Sequence, residues 1–262
     1  MKYRVGVVPY FNNKPLIWGI SNYKDIFDVI EQPPAILAEM MNNNELNIAM
    51  LPTYEYINQY PKYKIIPDIS ISSRNLVRST LVLSDKEITD IKTVLLDKNS
   101  LSSNNLTKII FKNVFHKEPI YIEKEDENTT ADTFVVIGDK ALQISDSYLT
   151  NIDLAEQWHN LTNLPFVFAL WCMNKNVNSD EIIPIFHKMK KDGLSNRDVI
   201  AKIESEKLKI SLDICKEYIY KNITFDLRGD EINAITKYSN YLYSLGLINH
   251  ANYQENLNNF TT

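Results

Sequence analysis

The chain has 262 residues, 44% of them hydrophobic and 23% charged, with a formal net charge of −5. That apolar fraction excludes an intrinsically disordered chain, and a mildly acidic balance without a basic stripe argues against phosphate-directed binding of nucleic acid. Only six glycines and two cysteines are present, so neither a glycine-rich phosphate loop nor a disulfide-stapled scaffold fits the composition.

The chain opens Met1-Lys2-Tyr3-Arg4 and passes directly into the apolar run Val5–Val8, which Pro9 ends. A secretory leader needs a longer apolar stretch and a small-residue cleavage site, so a cytoplasmic location is expected. No segment has the apolar length of a membrane span, and no membrane partner is expected. Cys172 and Cys215 lie far apart in apolar-patterned segments and read as buried, reduced thiols. The four histidines (His116, His159, His187 and His250) are scattered without ligand spacing. No metal site is expected, and no dinucleotide or P-loop pattern is present.

In chain order, short β-branched runs alternate with helical periodicity. Strands are predicted at Arg4–Val8, Val29–Glu31, Asn47–Leu51, Ile65–Ser70, Ser79–Leu83, Thr93–Leu96, Ile120–Ile122, Thr133–Ile137 and Phe166–Met173. Helices are predicted around Ala35–Met41, Tyr54–Gln59, Leu106–Phe115, Lys140–Leu142 and Leu154–Leu161. After residue 175 only helices are predicted, over Asp180–Lys191, Arg197–Glu206, Leu212–Tyr220 and Asp230–Leu245, with Gly193 and Gly229 read as punctuation at helix ends. Alternation of this kind marks an α/β protein with mostly parallel strands.

Two β-rich runs, Arg78–Ser84 and Phe166–Met173, read as crossings between lobes. The expected architecture is a two-lobed, periplasmic-binding-protein-like fold of type II with a double-crossover hinge. Lobe I would be residues 1–84 and 166–262, and lobe II residues 85–165, with hinge closure around a ligand in the cleft.

Four segments carry more than packing patterns. Tyr10-Phe11-Asn12-Asn13-Lys14-Pro15-Leu16 follows the first strand, where ligands approach open α/β sheets; Asn12 offers both donor and acceptor, or else caps a proline-started turn. Ser70 to Ser79 clusters serines with Arg74 and Arg78, which suit a carboxylate or simply solvent. Asn99 to Asn105 precedes a helix, where Ser100, Ser102 and Ser103 read as caps (Ser102 or Ser103), as an anion site, or as both. In Val136 to Leu142, Gly138 turns the chain, and Asp139 reads first as a helix cap and second as a base.

Taken together these segments resemble the chorismate dehydratase family of the futalosine route to menaquinone. The resemblance rests on five stretches in order: Tyr10–Leu16; Pro67-Asp68-Ile69-Ser70 running on to Val77-Arg78-Ser79; Ser100–Ser103; Ile137-Gly138-Asp139-Lys140-Ala141-Leu142; and Asp153-Leu154 with Trp158 and Thr162–Ala169. Departures from the family pattern fall at Asn75 and Leu76, at Leu101 with Ser102, and at Asn163, where the family has glycine. Asparagine tolerates a positive φ, so Asn75 and Asn163 are expected to hold glycine-like backbone.

The resemblance implies a hydro-lyase without cofactor or metal, converting chorismate to 3-[(1-carboxyvinyl)oxy]benzoate. It implies Asn12 and Ser79 as catalytic residues, and Tyr10, Arg78, Ser100, Ser102, Ser103, Asp139 and Pro165 as substrate-binding ones. Two alternatives stand beside it: a non-catalytic carboxylate-binding protein of the same fold, and the sister dihydroxynaphthoate synthase, whose Ser-Pro-x-x-Asn-Asp-Thr opening this chain lacks.

Overall fold

The computed structural model of the chain describes residues 2–123, 131–144 and 148–254. Two five-stranded sheets form the framework. Strands β1 (Tyr3–Val7), β2 (Phe27–Glu31), β3 (Ile48–Pro52), β4 (Tyr63–Ser73) and β10 (Phe166–Asn174) make the first, in the order β2-β1-β3-β10-β4. Strands β5 (Thr80–Ser84), β6 (Thr93–Leu95), β7 (Ile120–Ile122), β8 (Thr133–Ile137) and β9 (Thr150–Asp153) make the second, in the order β7-β6-β8-β5-β9.

The two sheets share one plan. Each has a parallel trio, β2-β1-β3 or β7-β6-β8, followed by an antiparallel strand that enters from the other lobe. In the first sheet that strand is β10, between β3 and β4; in the second it is β5, between β8 and β9. The chain therefore crosses twice, once between β4 and β5 and once between α5 (Leu154–Thr162) and β10. Two-lobed α/β architecture of the periplasmic-binding-protein type follows directly. One boundary moves: Thr80–Ser84, read above with the first lobe, pairs with β8 and β9 in the second sheet. The segment between Arg74 and Ser79 makes the crossing instead.

The helices fall where apolar periodicity demands, with differences that have physical causes. Helices α1 (Pro34–Asn42) and α2 (Thr53–Asn58) belong to the first lobe, α3 (Leu101–Asn113) and α4 (Asp139–Gln143) to the second. Helix α3 starts at Leu101, five residues before the expected Leu106, because the Ser100 hydroxyl accepts from the Ser103 N–H at 3.3 Å and caps the first turn. That corrects the expectation that Ser102 or Ser103 is the cap. Strand β9 is short and half polar, and its sequence carries no strand signal; pairing with β5 makes it a strand. Helices α6 (Ser179–Ser195), α7 (Arg197–Leu208), α8 (Leu212–Glu217) and α9 (Gly229–Ser244) complete the molecule. Gly193 does not end a helix. It lies buried within α6, where a Cβ would fall 1.9 Å from the carbonyl oxygen of Pro15, so only glycine lets this helix reach the loop after β1.

Aromatic packing locks the second crossing. Trp158 of α5 meets Phe166 of β10 edge-on at 5.4 Å between centroids, and Tyr238 of α9 at 6.0 Å. Asn163 closes α5 with φ +57°, as its replacement of glycine implied. Asn75 does not share that role; the left-handed residue of the first crossing is Arg78, at φ +60°. Asp153 caps α5 through the Ala155 and Glu156 N–H groups at 3.0 and 3.2 Å, and its other oxygen accepts from Val77 and Arg78 at 2.9 and 2.7 Å. One buried carboxylate therefore joins the start of α5 to the crossing strand. Both cysteines are buried free thiols.

Candidate active site

The strand ends of both lobes open onto one narrow cavity of about 60 Å³. Val8, Tyr10 and Asn12 after β1, the end of β3, Val77, Ser79 and Thr80 at the first crossing, the N-terminus of α3, the β8–α4 turn and Phe168 with Ala169 of β10 line it. Tyr10, Asn12, Ser79, Ser100, Ser102 and Ser103 all face this space, so most of the residues singled out in the sequence meet there. Arg78, Asp139 and Pro165 do not line it.

Each exception has a structural reason. Its left-handed backbone turns Arg78 outward to Glu217, at 3.4 Å, beside a separate surface hollow. Pro165 gives its carbonyl to the Trp158 indole N–H at 2.9 Å and so serves the aromatic lock. Asp139 makes no cap hydrogen bond at α4, which begins with Gly138 at φ +65°. Its Oδ1 instead accepts from the backbone N–H of Phe11 at 2.9 Å, in the other lobe. Burial pushes the Asp139 carboxyl above its usual range, with Glu204 adding to the effect; the Phe11 N–H, Lys207 and Lys14 oppose it.

Further contacts hold the lobes together around the cavity. The Gly138 N–H donates to the Ser79 carbonyl at 2.8 Å. A Cβ on Gly138 would lie 3.0 Å from the Tyr10 ring, so the glycine lets the second lobe pack on that ring. The Ser102 hydroxyl accepts from the Tyr54 N–H of α2 at 3.1 Å, and its carbonyl accepts from the Tyr238 hydroxyl at 3.0 Å. Asn13 is fully buried and donates to the Val8 carbonyl at 3.1 Å, which fixes the turn that presents Asn12.

Asn12 and Ser79 stand 67 positions apart, and Ser79 bonds a residue that carries no sequence signal. The hydroxyl of Tyr218, which is 1% exposed, donates to Ser79 Oγ at 2.8 Å. Asn12 Oδ1 is buried without a partner. Burial raises the Tyr218 phenol well above its ordinary value. Tyr218 opens a π-helical turn, Tyr218–Asn222, and π turns recur at functional sites.

Among the lining residues Tyr10 is the only titratable side chain, and none is Lys or Arg. Burial, with Asp97 and Asp139 nearby, pushes its phenol up to about 12, so it is a neutral hydrogen-bond donor at pH 7. Donors otherwise come from hydroxyls and from the first N–H groups of α3, which have no intrahelical acceptors and favour an anion. The geometry suits a small anionic molecule held by neutral donors rather than by ion pairs. Among the described residues no group of three or more His, Cys, Asp or Glu is arranged to hold a metal ion. No helix among them is long and apolar enough to cross a membrane.

A cleft between two α/β lobes, lined from both crossings, defines a periplasmic-binding-protein-like molecule. The fold is shared with a protein of Archaeoglobus fulgidus (TM-score 0.72, 16% identity, 94% of this chain and 98% of that one) and with the alkanesulfonate-binding protein of Xanthomonas axonopodis (TM-score 0.67, 9% identity, 95% and 94%). Within that class the chain belongs to the menaquinone-biosynthesis family, whose model matches residues 3–244. A chorismate dehydratase of Thermus thermophilus is 21% identical over 239 residues, covering 79% of this chain and 88% of the relative. Another, from Campylobacter jejuni, is 29% identical over 196 residues, covering 71% and 74%.

Proposed function

We propose that this chain is a hydro-lyase that dehydrates chorismate to 3-[(1-carboxyvinyl)oxy]benzoate for menaquinone biosynthesis by the futalosine route. One observation carries the reading: Asn12 and Ser79, the positions that the family resemblance gives for catalysis, line the same neutral cavity. The names of the two relatives support it.

Chemically the reaction needs orientation more than strong acid or base. One ring C–H bond breaks, its electron pair enters the ring, the neighbouring C–O bond breaks, and hydroxyl and proton leave together as water. Aromatisation supplies the driving force, so holding the ring and both carboxylates supplies much of the rate. With neutral Tyr10 as the one titratable lining side chain, the base is assigned to the substrate's own carboxylate. Asn12 Oδ1 orients the departing hydroxyl by accepting its O–H, and Ser79 donates to negative charge as it develops. The N-terminus of α3 and its serines receive a carboxylate.

Purified protein mixed with chorismate should develop the ultraviolet absorbance of an aromatic product. Asn12→Ala and Ser79→Ala should each lower kcat about 10²–10³-fold, as loss of one placed hydrogen-bonding group does, with little change in melting temperature. Binding of chorismate without turnover would replace the reading with that of a carboxylate-binding protein. Full activity of both alanine variants would overturn the roles.

A further inference from the structure

The hydroxyl of Ser79 carries one proton, and the direction of that proton decides whether the residue donates into the cavity. At 2.8 Å the Tyr218 hydroxyl donates to Ser79 Oγ and occupies a lone pair of that oxygen. The Ser79 proton then points away from Tyr218, and among the described residues it has no protein acceptor. One tyrosine hydroxyl thereby leaves the serine free to donate, beside an Asn12 Oδ1 that is buried without a partner.

Tyr218 is itself held from three sides. Its ring packs on Phe11 at 5.2 Å. The π turn closes with the Ile223 N–H on the Tyr218 carbonyl at 3.1 Å. Asn222 then anchors that turn by donating its side-chain amide to the Leu76 carbonyl at 3.0 Å, inside the first crossing. The widened turn places the phenol behind the cavity wall, outside the lining itself, at the point where loop 8–12 and the crossing meet.

We infer that Tyr218 is a positioning residue for the dehydration, aligning Ser79 as donor through its single hydroxyl. The inference rests on the dehydratase reading for its kinetic consequence, and on geometry alone for its structural one. Tyr218→Phe keeps the ring and removes only the hydroxyl. It should lower kcat roughly 10–100-fold, the usual scale for partners that orient reacting groups, while KM for chorismate moves by less than about threefold. In a Ser79→Ala background the same substitution should cost much less, because its partner is gone. Tyr220→Phe, two residues along the turn and outside the site, should retain wild-type turnover.

A second readout needs no turnover. The ¹³Cζ signal of Tyr218, assigned by its loss in Tyr218→Phe, should shift in Ser79→Ala and stay in place in Tyr220→Phe. Equal losses of kcat from Tyr218→Phe with and without Ser79 would overturn the inference. So would an unmoved Tyr218 signal in Ser79→Ala, whether or not the wild-type protein turns chorismate over. Absent turnover in the wild type would overturn only the dehydratase reading, and the phenol signal would still decide the role of Tyr218.

Discussion

Replacing Asp153 by alanine tests whether one carboxylate holds the crossing that presents Ser79. The side chain accepts four backbone N–H groups: Ala155 and Glu156 at the start of α5, and Val77 and Arg78 in the crossing strand. Loss of an N-cap costs about 0.5–2 kcal/mol. The Val77 and Arg78 donors face the protein interior, and each buried donor left without an acceptor costs about 1–3 kcal/mol. With partial relaxation and water entry the expected total is about 3–5 kcal/mol. For a protein of this size about 1 kcal/mol lowers Tm by roughly 2–4 °C, so Asp153→Ala should melt on the order of 10 °C lower. Scanning calorimetry on both proteins measures this directly. Asp153→Asn should recover only part of the loss, because its NH₂ group faces N–H donors where the second oxygen stood. A fall of less than about 2 °C for the alanine variant would refute the reasoning, since the four hydrogen bonds would then contribute nothing the variant cannot replace.

Two more outcomes follow from buried carboxyls. Asp139→Ala should cost about 1–3 kcal/mol by orphaning the Phe11 N–H, and should lower activity by loosening the turn that carries Asn12. Asp139→Asn keeps an oxygen for that N–H. Because burial raises the Asp139 carboxyl above its ordinary value of 3.8, its protonated form favours folding below that pH and the advantage is lost as pH rises. The asparagine variant should therefore equal or exceed the wild type in denaturant melts at pH 8, and a loss as large as alanine's would remove the argument. Burial likewise raises Glu55 in α2 from 4.5 to about 7, with Lys62 opposing. Its stabilising contribution is full below pH 4.5 and disappears as pH rises through 7, so Glu55→Gln should gain up to about 3 kcal/mol over wild type at pH 8 and converge with it near pH 4. Parallel pH–stability curves would contradict this.

Where sequence and structure part company, long-range contact is the commonest cause, with local backbone deciding the case of Arg78. Gly193 reads as a helix end until Pro15, far away in the chain, is found where its Cβ would sit. Asp139 reads as a cap until Phe11 of the other lobe supplies the N–H it accepts. Arg78, beside Ser79 in the chain, points the other way because a left-handed residue reverses the side-chain direction expected of an extended strand. Tyr218 lies in a helical tail whose residues show nothing but amphipathic packing, and only its place behind the cavity wall makes it part of the site. The boundary at residue 84 failed similarly, because β5 reads as a strand locally while its sheet is chosen by β8 and β9.

What the chain alone determines is whatever depends on neighbours within a few residues. Alternating apolar runs and helical periods define the α/β class, and the family resemblance carried by local motifs points to Asn12, Ser79 and the serines before α3. Tertiary structure decides which side chains share the cavity and which way their protons and lone pairs point. Hydrogen bonding is directional and acts over about 3 Å, so the direction of the Ser79 hydroxyl proton depends on Tyr218, which reaches it only once both lobes and the helical tail have packed.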